Sequence, residues 1–143
     1  MDLSNTQYGA LGLRAARIAG IKVPRRALIK LIEHTFHHQQ EPELKEIPPD
    51  PVQEPGYARS GGPGKVAGFG YRGLKTDRAS QKATGSMTTA GLGILLIGQE
   101  LLDDKMARSL RKKFDRSMEQ GLNWMRVNWA VNRNPGGSWH LYY

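Results

Sequence analysis

Three histidines, His34, His37 and His38, come nearest in type and spacing to a metal site. His34 and His38 are four residues apart in a predicted helix, so both imidazoles can reach one ion. A fixed third ligand is not evident, and the spacing departs from the His-Glu-x-x-His pattern of zinc proteases. We therefore favour polar residues at a helix end, and we predict no metal and no other cofactor.

Carboxylates and glycines also give no complete catalytic site. No further acidic residue pairs with Asp103 and Asp104 to complete a two-carboxylate site. Residues 60–70 are rich in glycine but lack both the spacing of a P-loop and a preceding strand. The sequence contains no cysteine, which excludes disulfides, thiolate metal sites and a cysteine nucleophile within these 143 residues. Whether the chain is an enzyme stays open at this point, and we favour a chain without catalytic residues of its own.

The net charge of +8 is unevenly distributed. Residues 41–58 are acidic, whereas residues 59–82 and 108–133 are basic. The sharpest basic cluster, Arg111 to Lys113, suits phosphate or an acidic membrane surface but lacks interleaved aromatic residues, so we predict no specific nucleic-acid partner. The N-terminus shows no signal peptide, and the protein is cytoplasmic if the reading frame begins at Met1.

Four amphipathic or apolar segments predict helices over residues 2–19, 24–40, 86–102 and 107–129. The first is expected to begin at Ser4 or Asn5 as its N-cap. The fourth is expected to bury one stripe that consists of Met118, Leu122, Met125 and Trp129.

Residues 86–102 contain the densest apolar run, which is too short and too interrupted to cross a bilayer, so no transmembrane segment is predicted. Gly91 and Gly98 are seven residues apart and share a stripe where a neighbouring helix can approach closely. We therefore expect this segment to be a buried helix with other helices around it.

Residues 41–83 show no periodic pattern. Prolines and then glycines predict a long, extended or disordered insertion loop, whose end is held in place by Phe69 and Tyr71. The expected organisation is a first helical hairpin over residues 1–40, the loop over residues 41–83, and a second hairpin with the start of a third repeat over residues 84–143. The strong turn at residues 134–137 separates the last two.

An internal repeat supports this organisation, because residues 5–13 match residues 86–94 in character, with Leu-Gly-Leu or Leu-Gly-Ile in each copy. A glycine-aromatic turn follows each helix pair, at Phe69 and at Trp139. This arrangement resembles the repeats of squalene-hopene cyclases, other terpenoid cyclases and protein prenyltransferase β subunits. The chain looks particularly similar to bacterial proteins with prenyltransferase and squalene oxidase repeats.

The resemblance implies an all-α fold, a partial α/α toroid of about four to five helices with a long Pro/Gly-rich loop. Its inner helices would be residues 6–19 and 86–102, around a cavity. The catalytic motifs of those families are missing: no Asp-x-Asp-Asp occurs, Ala107 stands where a diphosphate-binding Asp-Asp-x-x-Asp needs its last acid, and no cysteine is available for zinc.

We therefore predict a non-catalytic repeat domain that binds an apolar ligand, such as an isoprenoid, or a protein partner. Additional toroid repeats or self-association would cover its exposed apolar edges. The alternative is a fragment of a terpenoid cyclase whose catalytic acids lie outside this chain. The candidate residues for apolar-ligand binding or packing are Tyr8, Phe69, Tyr71, Trp124, Trp139 and Tyr142.

Overall fold

The computed structural model describes residues 2–49, 61–73, 82–102 and 106–137. Within these ranges the helices α1, α2, α3 and α4 lie where the sequence predicts helices, and α2 stops before the predicted Gln40. Two strands lie between α2 and α3. The bounds, in chain order, are α1 Leu3–Ile18, α2 Arg25–Phe36, β1 Glu43–Ile47, β2 Gly62–Val66, α3 Gly85–Leu102 and α4 Arg108–Asn128.

The central helix is α3, which contacts α1, α2 and α4. Ile94 and Leu95 are completely buried, and so is Thr88, whose hydroxyl accepts a hydrogen bond from the backbone N–H of Phe69 at 3.0 Å. Glycine permits close packing here, because a Cβ at Gly98 would lie only 2.6 Å from Cγ1 of Ile32. The prediction of a buried helix with other helices around it is confirmed.

The N-cap of α1 lies earlier in the chain than the sequence predicts. It is Asp2, whose Oδ1 accepts a hydrogen bond from the backbone N–H of Asn5 at 2.9 Å, so the predicted caps Ser4 and Asn5 are wrong. This hydrogen bond is the largest cause that holds the pKa of the Asp2 carboxyl below its ordinary value. Ser4 instead supports the cap, since its hydroxyl donates to the same carboxylate oxygen at 3.0 Å.

The helices α1 and α3 run side by side in the same direction. Both begin beside one segment: Leu3 N–H donates to the carbonyl of Tyr71 at 2.9 Å, and Thr84 N–H donates to that of Phe69 at 3.2 Å. Near their other ends, Arg14 of α1 pairs with Glu100 of α3. Residues 69–71 therefore fix the starting points of both helices.

A two-stranded antiparallel sheet occupies part of the segment for which the sequence predicts an irregular loop. β1 and β2 pair from Glu43 opposite Val66 to Ile47 opposite Gly62. Ile47 and Val66 are buried in one cluster with Trp124 of α4. The prediction of an all-α partial toroid is therefore wrong, and the chain forms a small mixed α/β domain. Packing against a distant helix stabilises strands whose own residues favour strands only weakly.

The inward face of α4 also differs from the prediction. Leu122 and Trp129 of the predicted apolar stripe are 44% and 59% exposed. Polar residues can lie on the buried face because each has a hydrogen-bond partner there. For example, Ser117 Oγ donates to Gln39 Oε1 at 2.6 Å. Asn123, which lies outside the predicted stripe, is buried and donates to the carbonyl of Lys65 at 3.1 Å. The buried residues are Phe114, Ser117, Gln120, Gly121, Asn123 and Trp124.

The predicted turn at residues 134–137 is confirmed. Gly137 N–H donates to the carbonyl of Asn134 at 3.0 Å, and Gly136 has a φ of 75°, which glycine adopts readily. The Asn134 side chain reaches back to α3, where its Oδ1 accepts a hydrogen bond from the N–H of Ser86 at 2.9 Å. The helix predicted after this turn lies outside the described residues.

Candidate functional site

The outward side of α1 is an exposed apolar surface. Leu3, Thr6 and Ala10 face the core and are buried. Tyr8, Leu11 and Ile18 lie on the opposite side of the same helix, since Leu11 follows Tyr8 by three residues and precedes Ile18 by seven. Their exposed fractions are 74%, 48% and 72%, and Ile21, just beyond the helix, is 60% exposed. We name Tyr8, Leu11, Ile18 and Ile21 the α1 apolar face.

Part of α3 is also exposed beside α1, on the face of α3 that carries Glu100, the ion-pair partner of Arg14. Leu96 is 52% exposed and lies one helical turn before Glu100, so both residues share one face of α3. A Cβ at Gly93 would meet no atom within 4 Å. The surface beside α1 is therefore open where α3 adjoins it.

The charge around the α1 apolar face is basic. Arg14, Arg17 and Lys22 are exposed, and α1 contains no acidic residue. Arg14 Nε lies 2.8 Å from Glu100 Oε2, and this hydrogen bond raises the pKa of Arg14 and lowers the pKa of Glu100. Both partners are solvent-exposed, so the pair orients two side chains and adds little stability. The surface has an apolar centre and a basic rim.

The sequence alone does not separate this surface from the core, because Leu11 and Ile18 are apolar positions of the first predicted helix just as Leu13 and Ala16 are. In the structure only Leu13 and Ala16 of these four pack against the core. The available signal was that Leu11 and Ile18 share a helical stripe with Tyr8, on the side of the helix away from Ala10.

The four candidate residues that the structure describes do not form one pocket. Tyr8 is on the α1 apolar face, whereas Phe69 is completely buried, with its ring against Gly91 of α3. Tyr71 is 42% exposed, its backbone carbonyl accepts the N–H of Leu3, and its side chain interacts with the Asp2 carboxylate and helps to lower the pKa of Asp2. Trp124 is buried against the sheet. Trp139 and Tyr142 lie outside the described residues.

Two clefts near the end of α4 are open and mainly polar. One, of about 620 Å³, is lined by Lys82, Arg133 and Asn134 among others, with Trp129 at its edge. The second, of about 330 Å³, lies between the sheet and α4 and includes Glu43 and Lys45. An isoprenoid requires an enclosed apolar cavity, and neither cleft has that character.

The basic cluster on α4 has a partly structural role. The Lys113 ammonium lies 4.8 Å from the centre of the Phe36 ring, and the Arg111 guanidinium lies 5.6 Å from that of Phe114. These cation–π contacts attach two of the clustered charges to the surface of the protein. Asp103 and Asp104, the carboxylates considered for catalysis, lie outside the described residues.

No family model, curated protein or solved structure matches this chain. The resemblance to prenyltransferase and squalene oxidase repeats therefore stays a prediction. Among the described helices, none combines the length and apolar character that a bilayer crossing demands.

Proposed function

We propose that this chain is a non-catalytic binding module whose α1 apolar face docks a protein surface, and that a second copy of the chain is the partner in the isolated protein. The observation that carries the proposal is the exposure of Tyr8, Leu11 and Ile18 on one side of a helix whose other side belongs to the core. Contiguous apolar surface of this kind is typical of interaction sites.

A protein fits this surface better than a small apolar ligand does. Small ligands bind in concave sites that enclose most of their area, whereas a helix face meets another helix by interdigitation of side chains. Tyr8 is well suited to such an interface, because its ring adds apolar area while its hydroxyl can remain hydrated. Both described clefts, in contrast, are polar-lined.

The basic rim predicts how association depends on salt. Two copies that meet through α1 bring two basic rims together, and the net charge of each chain is +8. Salt screens this repulsion and leaves the apolar attraction intact. We therefore expect self-association to strengthen as the salt concentration rises, the opposite of an assembly that depends on ion pairs.

Sedimentation velocity over a wide range of protein concentration tests the proposal. We expect a reversible monomer–dimer equilibrium that the double variant Leu11→Gln, Ile18→Gln weakens by about tenfold or more, because truncation of an interface anchor commonly costs over 1 kcal/mol. The matched control is Leu44→Gln on β1, where the leucine is 73% exposed but lies away from α1. Thermal melts should show that all variants remain folded.

Two results would overturn the proposal. A wild-type chain that remains monomeric at high concentration and high salt has no self-docking surface. A double variant that dimerises as well as the Leu44→Gln control places the contact elsewhere on the molecule.

A further inference from the structure

The end of α2 brings two imidazoles together. His34 and His38 are four residues apart, and their Nε2 atoms are separated by 3.3 Å. The ring centres are 5.0 Å apart, with the rings inclined at 69°. His38 is only 2% exposed, whereas His34 is half-buried and gives the pair access to solvent. The neighbouring His37 is exposed and does not take part.

The separation of the two nitrogens suits a shared metal ion. Zinc binds imidazole nitrogen at about 2.0–2.1 Å in tetrahedral geometry, which places two such ligands about 3.3–3.4 Å apart. The same separation allows one imidazole N–H to donate to the other nitrogen. For a metal ion to bind both Nε2 atoms, the donor ring would change tautomer by releasing its Nε2 proton to solvent and taking one up at its Nδ1, so that each Nε2 presents a lone pair.

The surroundings favour the neutral imidazoles that bind metals. Burial is the largest cause that lowers the pKa of His34 and of His38, and the two rings lower the pKa of His38 further through their mutual repulsion.

The segment that follows β2 contacts the backbone of His38. Gly70 N–H donates to the carbonyl of His38 at 2.8 Å, which attaches the loop to the end of α2. The His38 Nδ1 atom is buried and makes no hydrogen bond within the described residues, yet backbone groups of Gly70 and Tyr71 are close enough to raise the pKa of the ring. In metal-binding histidines, the ring nitrogen that does not bind the metal commonly donates its N–H to a backbone carbonyl, and the backbone of Gly70 and Tyr71 lies near the ring of His38.

We infer that His34 and His38 form a two-histidine site for a divalent transition-metal ion, bound through both Nε2 atoms, with water completing its coordination. Zinc, nickel and copper are the ions that imidazole ligands suit. Within the described ranges no group of three or more His, Asp or Glu residues can hold a metal, so the site is not a closed structural zinc centre. Because both ligands belong to the end of α2, the bound ion would stabilise the last turn of that helix.

Calorimetric titration of the tag-free full chain with Zn²⁺ tests the inference. We expect one equivalent to bind and to raise the melting temperature, since an ion that binds only the native state stabilises it. His34→Gln should weaken binding by more than the roughly tenfold that loss of a supporting contact costs. The matched control is His37→Gln, which should bind as the wild type does. If both variants bind equally well, or if the wild type binds no ion, the inference is wrong.

A measurement on the wild-type protein does not depend on whether a variant folds. Imidazole nitrogen NMR spectra should show that Zn²⁺ shifts the Nε2 resonances of His34 and His38 and leaves those of His37 unchanged. Shifts confined to His37, or spread equally over all three rings, would contradict the site. This outcome is independent of the self-association assay, because the histidine pair lies outside the α1 apolar face.

Discussion

The helices α1 and α3 have similar sequences and opposite environments. Both carry a Leu-Gly pair followed by a third aliphatic residue, at Gly12 and at Gly93, and both begin beside residues 69–71. α3 is covered by helices on several sides, whereas α1 has one covered side and one bare side. The same local pattern therefore serves one helix as core and the other partly as surface.

The glycines of the two helices make the difference measurable. A Cβ at Gly91 of α3 would lie 2.5 Å from Cγ of the Phe69 ring, whereas a Cβ at Gly9 or Gly12 of α1 would meet nothing within 4 Å. Position 91 therefore requires glycine, because the Phe69 ring leaves no room for a Cβ atom. The glycines of α1 have no such neighbour among the described residues, and they only reduce helix stability.

The largest expected effect comes from removal of the side chain that makes α3 a core helix. Phe69→Ala should lower the free energy of unfolding by about 3–5 kcal/mol, because the ring is completely buried and its loss leaves a cavity against Gly91. Urea denaturation monitored by circular dichroism measures the change. The control is Tyr71→Ala in the same segment, which should cost clearly less than Phe69→Ala because that ring is 42% exposed and its loss removes only a contact with the Asp2 carboxylate. Equal losses would mean that Phe69 does not determine the packing of α3.

The next effect should have opposite signs in the two helices. Gly91→Ala should destabilise the protein by about 1–3 kcal/mol, since its methyl group overlaps the Phe69 ring and the surroundings must shift. Gly12→Ala should stabilise it by about 1 kcal/mol, because alanine favours the helix and meets no neighbour there. Chemical denaturation of both variants, with Gly93→Ala as an open position on α3 itself, provides the test. Stabilisation by all three alanines would remove the distinction between the helices.

The position of the helices could be predicted from the sequence, and so could the anchoring role of Phe69. Apolar spacing and glycine stripes are local properties, and α3 follows them because its neighbours cover most of its apolar side chains, with Leu96 as an exposed exception. The face that each helix buries was less predictable. On α4, Ser117 and Asn123 are buried because Gln39 and the carbonyl of Lys65 bond to them, and partners so distant in sequence leave no local trace.

The strands were not predictable for a related reason. Charged residues dominate β1, and β2 contains Gly62, Pro63 and Gly64, residues that are depleted in strands. Their pairing depends on α4, where the carbonyl of Gln120 accepts a hydrogen bond from Ala67 at 3.1 Å and Trp124 covers the buried ends. The exposed side of α1 escaped prediction because an apolar residue on a helix suggests core until the neighbouring elements are known.

The smallest effect concerns how the two helices begin. α1 is capped by the charged side chain of Asp2, whereas the N-terminus of α3 is capped by neutral groups, the hydroxyl of Thr84 and the amide of Asn134. Asp2→Ala should cost about 1 kcal/mol, as loss of an N-cap usually does. Asp2→Asn is the conservative control, because asparagine keeps an oxygen that can accept the Asn5 N–H.

Acid should reveal the difference between these caps. The pKa of Asp2 is lower in the folded chain than its ordinary value of 3.8, so the folded state holds this proton less tightly than the unfolded state does. The contribution of Asp2 is therefore complete above that value and declines as the pH falls through the folded pKa. Stability curves of the wild type and Asp2→Asn should converge at low pH and separate above it. Parallel curves over the whole range would show that the Asp2 charge has no part in starting α1, and both helices would then begin through neutral hydrogen bonds alone.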